Sequence, residues 1–250
     1  MSLAGKSVVV SGGASGIGAA CASLIAARGG YVAIGDIQSE LGEHIAGSIR
    51  SAGGRAFFQR TDVTNRQNID ALYARALAEH GGIDVLVHAA GLALSSPFIE
   101  TSEEQWSRVL HANLDATFYC NREAVRTMLR QGGGRIINFA SVAASVPRAR
   151  MAAYSSAKAG VVALTRSIQT EHAGDNIILF AIAPGATNTP MLRQDRSADD
   201  LAKIERRTRF GKVVQPRQVA ELVAFLADDI TGHMLAGQVF HTNGAEFFGS

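Results

Sequence analysis

The amino-acid sequence predicts an α/β protein built on a doubly wound parallel sheet, and three observations predict it. Short apolar runs recur along the 250 residues, alternating with helical patterns of ten or more residues. Several of these runs lack polar alternation, as strands covered by helices on both faces do. The first run enters a glycine-rich turn, SGGASGIG, which opens the small-residue helix AACASLIAARGG. About seven strands with helices on both faces account for this pattern.

Composition bounds the rest. Apolar residues make up 47% and charged residues 18%, enough for a sizeable core and too little polarity for a disordered chain. A net charge of +2 gives no general attraction to nucleic acid or an acidic membrane surface. Cys21 and Cys120 both fall in helical segments and have no metal-binding or redox spacing, so packed, reduced thiols are expected. The opening MSLAGKSVVV runs straight into a strand with no signal-like segment, and no apolar run reaches membrane-spanning length. A cytoplasmic protein with one domain over residues 1–250 is the expectation, without repeats or low-complexity linkers.

Residues 7–10 form the first strand. The turn after it offers Gly12, Ser15, Gly16, Ile17 and Gly18 at a strand end and a helix start. Glycines let the backbone approach a pyrophosphate, and the free N–H groups of the helix favour the anion. The second strand, residues 31–34, ends in Gly35-Asp36, some 20 residues beyond the glycines, where an acid can grip a ribose diol. Asp36 would repel a 2′-phosphate and Ile37 supplies no cation, which favours NAD over NADP. Asp36 could instead cap the helix that begins near Ser39.

The third strand, residues 56–59, leads to Asp62 and Val63. Asp62 could contact an adenine amino group or cap the helix starting near Asn65. The fourth strand, residues 83–87, ends in His88-Ala89-Ala90-Gly91, with His88 read as a hydrogen-bonded core residue. Residues 102–130 carry apolar side chains at helical spacing, with Asn113 inside the run. The fifth strand, residues 135–140, delivers Ser141 at its C-terminal end, where ligands bind in such sheets.

Thirteen positions later comes Tyr154, inside the helical pattern MAAYSSAKAGVVALTRSIQ, with Lys158 one turn beyond it. A cation beside a phenol favours the phenolate, lowering a pKa that starts near ~10, and such a tyrosine can exchange a proton at a reacting oxygen. The sixth strand, residues 177–183, is followed by Pro184, Gly185, Thr187 and Thr189, and a last strand covers residues 238–241.

Taken together, SGGASGIG, HAAG, Asn113, Ser141, Tyr154-x-x-x-Lys158 and Pro184-Gly185 resemble the short-chain dehydrogenase/reductase family, from about Lys6 to about Gly244. The resemblance implies a Rossmann-type fold and an oxidoreductase moving a hydride between NAD(H) and a secondary alcohol or ketone. Ser11 stands where the family has threonine, and His88-Ala89 where it has two asparagines, which bear on the bracing of the sheet. The resemblance gives Ser141 the substrate oxygen, Tyr154 the proton, Lys158 the nicotinamide ribose as well as the tyrosine, and Asn113 a water linked to Lys158. Ala89, Ala90 and Gly91 would border the dinucleotide, and Pro184, Gly185, Thr187 and Thr189 would meet its carboxamide. A homotetramer is also implied. An NADP-dependent 3-oxoacyl-thioester reductase is the alternative among enzymes, and a non-catalytic dinucleotide sensor the alternative outside them.

Residues 190–212 form a polar flap over the substrate. Arg193, Arg196, Lys203, Arg206, Arg207, Arg209 and Lys212 face Asp195, Asp199, Asp200 and Glu205, three more cations than anions. Arg148 and Arg150 lie between Ser141 and Tyr154. Such arginines either face water or grip a carboxylate, sulfonate or phosphate of the substrate.

Overall fold

The structure, a computed structural model, describes residues 2–146, 148–194, 196–229 and 233–247. Seven parallel strands form one sheet: β1 (Ser7–Ser11), β2 (Tyr31–Asp36), β3 (Arg55–Arg60), β4 (Val85–His88), β5 (Gly134–Phe139), β6 (Ile177–Pro184) and β7 (Val239–Thr242). Their order is β3-β2-β1-β4-β5-β6-β7, so the chain reverses direction across the sheet between β1 and β4. Such a switch point opens a crevice at the C-terminal strand ends. The helices are α1 (Gly16–Ala27), α2 (Ser39–Ser51), α3 (Arg66–His80), α4 (Glu103–Leu110), α5 (Ala116–Gln131), α6 (Ala152–Glu171), α7 (Pro190–Arg193), α8 (Ala198–Glu205) and α9 (Pro216–Leu226).

Strand alternation divides the core into two layers. Val8, Val10, Val32 and Ile34 point to the side of α1, α2 and α9, where Ile25, Ile49 and Val223 meet them. Val9, Ala33, Leu86 and Ile136 point to the opposite side, against Leu72 of α3 and Cys120 and Met128 of α5. Cys21 and Cys120 are buried free thiols, and burial pushes the Cys120 thiol up to about 12. Among the described residues no helix is long and apolar enough to cross a membrane.

Two departures from the sequence expectation have an identifiable cause. The fourth strand starts at Val85 rather than at residue 83, because Ile83 is fixed by the Gln131 side chain: its N–H donates to Gln131 Oε1 at 3.1 Å and its carbonyl accepts from Nε2. Residues 102–130 are not one regular helix. Ser102 and Gln105 form a capping box that starts α4, and a π turn over His111–Asp115 separates α4 from α5. A π turn adds a residue to the turn, re-aims one side chain, and is found at functional sites. Asn113 lies within this one.

Candidate active site

Ser141 leaves the end of β5 in extended backbone, with its Oγ accepting from Ala143 N at 3.2 Å and hydrogen-bonded to the Tyr154 phenol. Tyr154 stands in the first turn of α6 and Lys158 one turn further on, so the helix brings both to the crevice. The sequence expects the ammonium to lower the phenol's pKa, and the structure differs. Burial holds the Tyr154 phenol above its ordinary range, and the Ser141 hydrogen bond pulls it down against that. The Lys158 Nζ lies 5.7 Å from the Tyr154 ring centroid and donates to Phe139 O at 2.7 Å. The spacing puts the two on one face, but the buried ammonium is drawn to a strand-end carbonyl rather than to the phenol. Lys158 is 4% exposed, and burial lowers its pKa to about 8.

Asn113 is fully buried, and its amide is spent on backbone. Nδ2 donates to Leu92 O at 2.7 Å and Val109 O at 2.8 Å, and Oδ1 accepts from Leu92 N at 3.3 Å. Its own carbonyl accepts from Thr117 Oγ1 at 2.5 Å. Gly91 fills the gap between Asn113 and Lys158: a Cβ there would come within 2.7 Å of Asn113 Oδ1 and 3.4 Å of Lys158 Nζ. Ser141, Tyr154, Lys158 and Asn113, spread over 46 positions of chain, thus meet at one crevice.

His88 is a core residue, as the sequence suggests. Its Nδ1 and Ser11 Oγ are 2.7 Å apart across the β1–β4 pair, so histidine and serine brace the sheet together. Nε2 has no partner among the described residues. Burial, with Lys158 nearby, lowers the ring's pKa to about 3, so it stays neutral at any working pH.

The glycine turn is built for close approach. A Cβ on Gly12 would sit 2.5 Å from Ala90 N, and one on Gly18 would collide with the Gly12 carbonyl. Ser15 is the N-cap of α1, but its side chain makes no cap bond, so the first N–H groups of α1, from Gly16, Ile17 and Gly18, have no partner within the helix. Asp36 is 7% exposed: Oδ2 accepts from Ala14 N at 3.0 Å and Oδ1 from Gln38 N at 3.0 Å. Gln38, not Asp36, is the N-cap of α2, so the capping alternative fails. Ile37 is exposed beside it. Likewise Asn65 caps α3 with its own side chain, while Asp62 holds Thr64 through Oδ1, which lowers the acid's pKa. Val63 packs against the core from its edge. Unpaired helix N–H groups, a backbone with no Cβ in the way and an acid at the second strand end fit a dinucleotide.

The far wall is tied by side chains. Thr187 is buried and donates to Gly185 O at 3.1 Å; Thr189 caps α7 by accepting from Leu192 N at 3.2 Å and lies against Gly16. Asp195 lies outside the described residues. Among the flap cations Arg193 donates to Asn188 Oδ1 at 2.8 Å and Arg196 to Leu192 O. Arg148 already holds an acid, Glu246, which lies 98 positions away and which no sequence spacing marks. Arg150 has left-handed backbone at φ 66°, its carbonyl accepts from Ser96 N at 2.9 Å, and its side chain is exposed.

A family model described as short chain dehydrogenase matches residues 6–200. The chain belongs to the short-chain dehydrogenase family. It is 42% identical to the cis-4-hydroxycyclohexanecarboxylate dehydrogenase of Sinomonas cyclohexanicum, covering 91% of this chain and 93% of that protein. It is 34% identical to the 3-oxoacyl-acyl-carrier-protein reductase FabG of Vibrio cholerae, over 99% of each. Among solved structures, a 7α-hydroxysteroid dehydrogenase complexed with NADH and 7-oxo glycochenodeoxycholic acid superposes with TM-score 0.94 at 29% identity, covering 98% of this chain and 95% of that one. This short-chain dehydrogenase is therefore an oxidoreductase of a family that uses a nicotinamide dinucleotide on small molecules.

Proposed function

We propose that the protein is an NAD(H)-dependent dehydrogenase of a ring secondary alcohol that carries a carboxylate. The observation that carries the reading is the convergence of Ser141, Tyr154 and Lys158 at the end of β5, in a chain 42% identical to a hydroxycyclohexanecarboxylate dehydrogenase. Gly12, Ser15, Gly16, Ile17 and Gly18 would hold the pyrophosphate, Asp36 with Ile37 the adenosine ribose, Asp62 and Val63 the adenine. Ala89, Ala90 and Gly91 would border the sugar, and Pro184, Gly185, Thr187 and Thr189 the carboxamide. A nicotinamide bound there supplies the hydride acceptor or donor.

The chain's own residues handle the proton. Ser141 Oγ donates to the substrate oxygen and steadies its charge. Tyr154 takes the hydroxyl proton in oxidation and returns it in reduction. Because burial raises the phenol, its neutral form dominates at pH 7, and oxidation gains as pH rises. Lys158 contacts the nicotinamide ribose and keeps a positive charge below about pH 8. Asn113 holds the water that passes the proton outward. Residues 190–212 act as the flap of a single domain.

NAD is favoured because the carboxylate fixed at the end of β2 repels a 2′-phosphate and the residue that follows it, Ile37, supplies no cation. The FabG relative favours a second reading, an NADP-dependent 3-oxoacyl-thioester reductase. Formation of NADH or NADPH, followed by absorbance with cis-4-hydroxycyclohexanecarboxylate, cyclohexanol and a 3-hydroxyacyl thioester, decides between them. Reduction of NADP by the thioester alone would replace the first reading with the second; no turnover with any substrate would leave a dinucleotide sensor. We also propose a cytoplasmic homotetramer, supported by the exposed Phe118 and Leu129 on α5. A monomeric mass in light scattering would refute the assembly.

A further inference from the structure

Arg148 and Glu246 form an ion pair across the crevice. Arg148 belongs to the loop between Ser141 and Tyr154, and its side chain is 23% exposed. Glu246, 10% exposed, follows β7 in a turn that the Asn243 side chain closes by donating to Phe247 O at 2.7 Å. The Glu246 carboxylate also reaches the corner after β6, where a Cβ on Gly185 would come within 3.3 Å of its Oε2. The chain thus presents a carboxylate of its own between the loop beside the catalytic tyrosine and the Pro184-Gly185 corner. Arg150, by contrast, is exposed, and among the described residues no acid pairs with it; its carbonyl is engaged instead, by Ser96 N.

We infer that Arg148 is the receptor for the substrate's carboxylate, and that Glu246 occupies it until the substrate arrives. This rests on the reading of the substrate as a ring alcohol bearing an acid. A guanidinium pairs with a planar carboxylate through two parallel N–H donors, so substrate and Glu246 compete for the same face of Arg148. An internal competitor lowers apparent affinity by the fraction of time it holds the site. Removing the competitor's charge therefore tightens binding of an acid, whereas removing a merely structural clamp loosens the crevice for every ligand.

The test is calorimetric titration of the cofactor-saturated enzyme with cyclohexanecarboxylate and, as the neutral control, cyclohexanecarboxamide. Glu246→Gln is expected to bind the carboxylate about fivefold to tenfold more tightly, and Arg148→Ala about tenfold more weakly, the latter a change of about 1.4 kcal/mol. The carboxamide should change less than about twofold in both variants, and Arg150→Ala should leave both ligands within about twofold of wild type. Glu246→Gln weakening both ligands in parallel, carboxylate binding indifferent to Arg148, or no carboxylate binding by the wild type would each overturn the inference. Should Arg148→Ala not fold, Glu246→Gln and Arg148→Lys decide, the lysine expected to keep part of the affinity. Arg148-dependent binding without turnover of any ring alcohol would sink the proposed reaction and leave the subsite; turnover of ring alcohols without Arg148 dependence would do the reverse.

Discussion

The two ends of the crevice are built differently. At the dinucleotide end, β1, the glycine turn, α1 and β2 follow one another within 30 residues, and the contacts among them are local: Ala14 and Gln38 to Asp36, Gly18 against Gly12. At the substrate end the walls come from distant segments. Arg148 meets Glu246, Thr208 stands under Gly244, and Asn243 lies against Gly185. A pyrophosphate and a ribose are the same in every user of the cofactor, so a short local motif suffices for them. A substrate differs from enzyme to enzyme, and its walls are assembled from loops that the shared sheet merely supports.

The comparison can be broken in several places. The largest effect is expected between the two ends: Tyr154→Phe should lower turnover by about 10²- to 10⁴-fold while dinucleotide affinity stays within a few-fold, as stopped-flow and fluorescence titration would read. Loss of dinucleotide binding in parallel would mean that the ends are not separable. Within the local end, Gly18→Ala should cost about 1–3 kcal/mol in thermal or urea unfolding, because the added methyl drives into the Gly12 carbonyl, and dinucleotide binding should fall with it.

Lys158 sharpens the comparison through pH. Its pKa in the folded protein is about 8, below the unfolded value of 10.5, so the unfolded chain binds more protons between these two pH values. The burial penalty is full below pH 8 and fades as pH rises toward 10.5. Wild type should therefore gain about 2 kcal/mol relative to Lys158→Met between pH 7 and pH 9.5 in urea titrations. An equal pH response of the two proteins would show that Lys158 carries no such penalty. The smallest expected effect is on cofactor choice: Asp36→Ala with Ile37→Arg should move the ratio of kcat/KM for NADP over NAD by about tenfold or more. An unmodified enzyme already preferring NADPH would remove the basis for that change.

The sequence by itself determined the sheet, because seven apolar runs alternating with helices admit few arrangements once crossovers are right-handed. Asn113 stood out only through the resemblance to the family, whereas the sequence itself placed Ser141 at a strand end and Tyr154 and Lys158 one helical turn apart. Those are local periods, and local periods are written in the order of residues. Only the tertiary structure decided what each group faces. It broke the helix at Asn113 with a π turn, turned Lys158 toward Phe139 O rather than the phenol, tied His88 to Ser11 and gave Arg148 an acid from the far end of the chain. Spacing fixes where a side chain starts, whereas its partner and its pKa depend on burial and on charges from segments that meet only when the sheet is assembled.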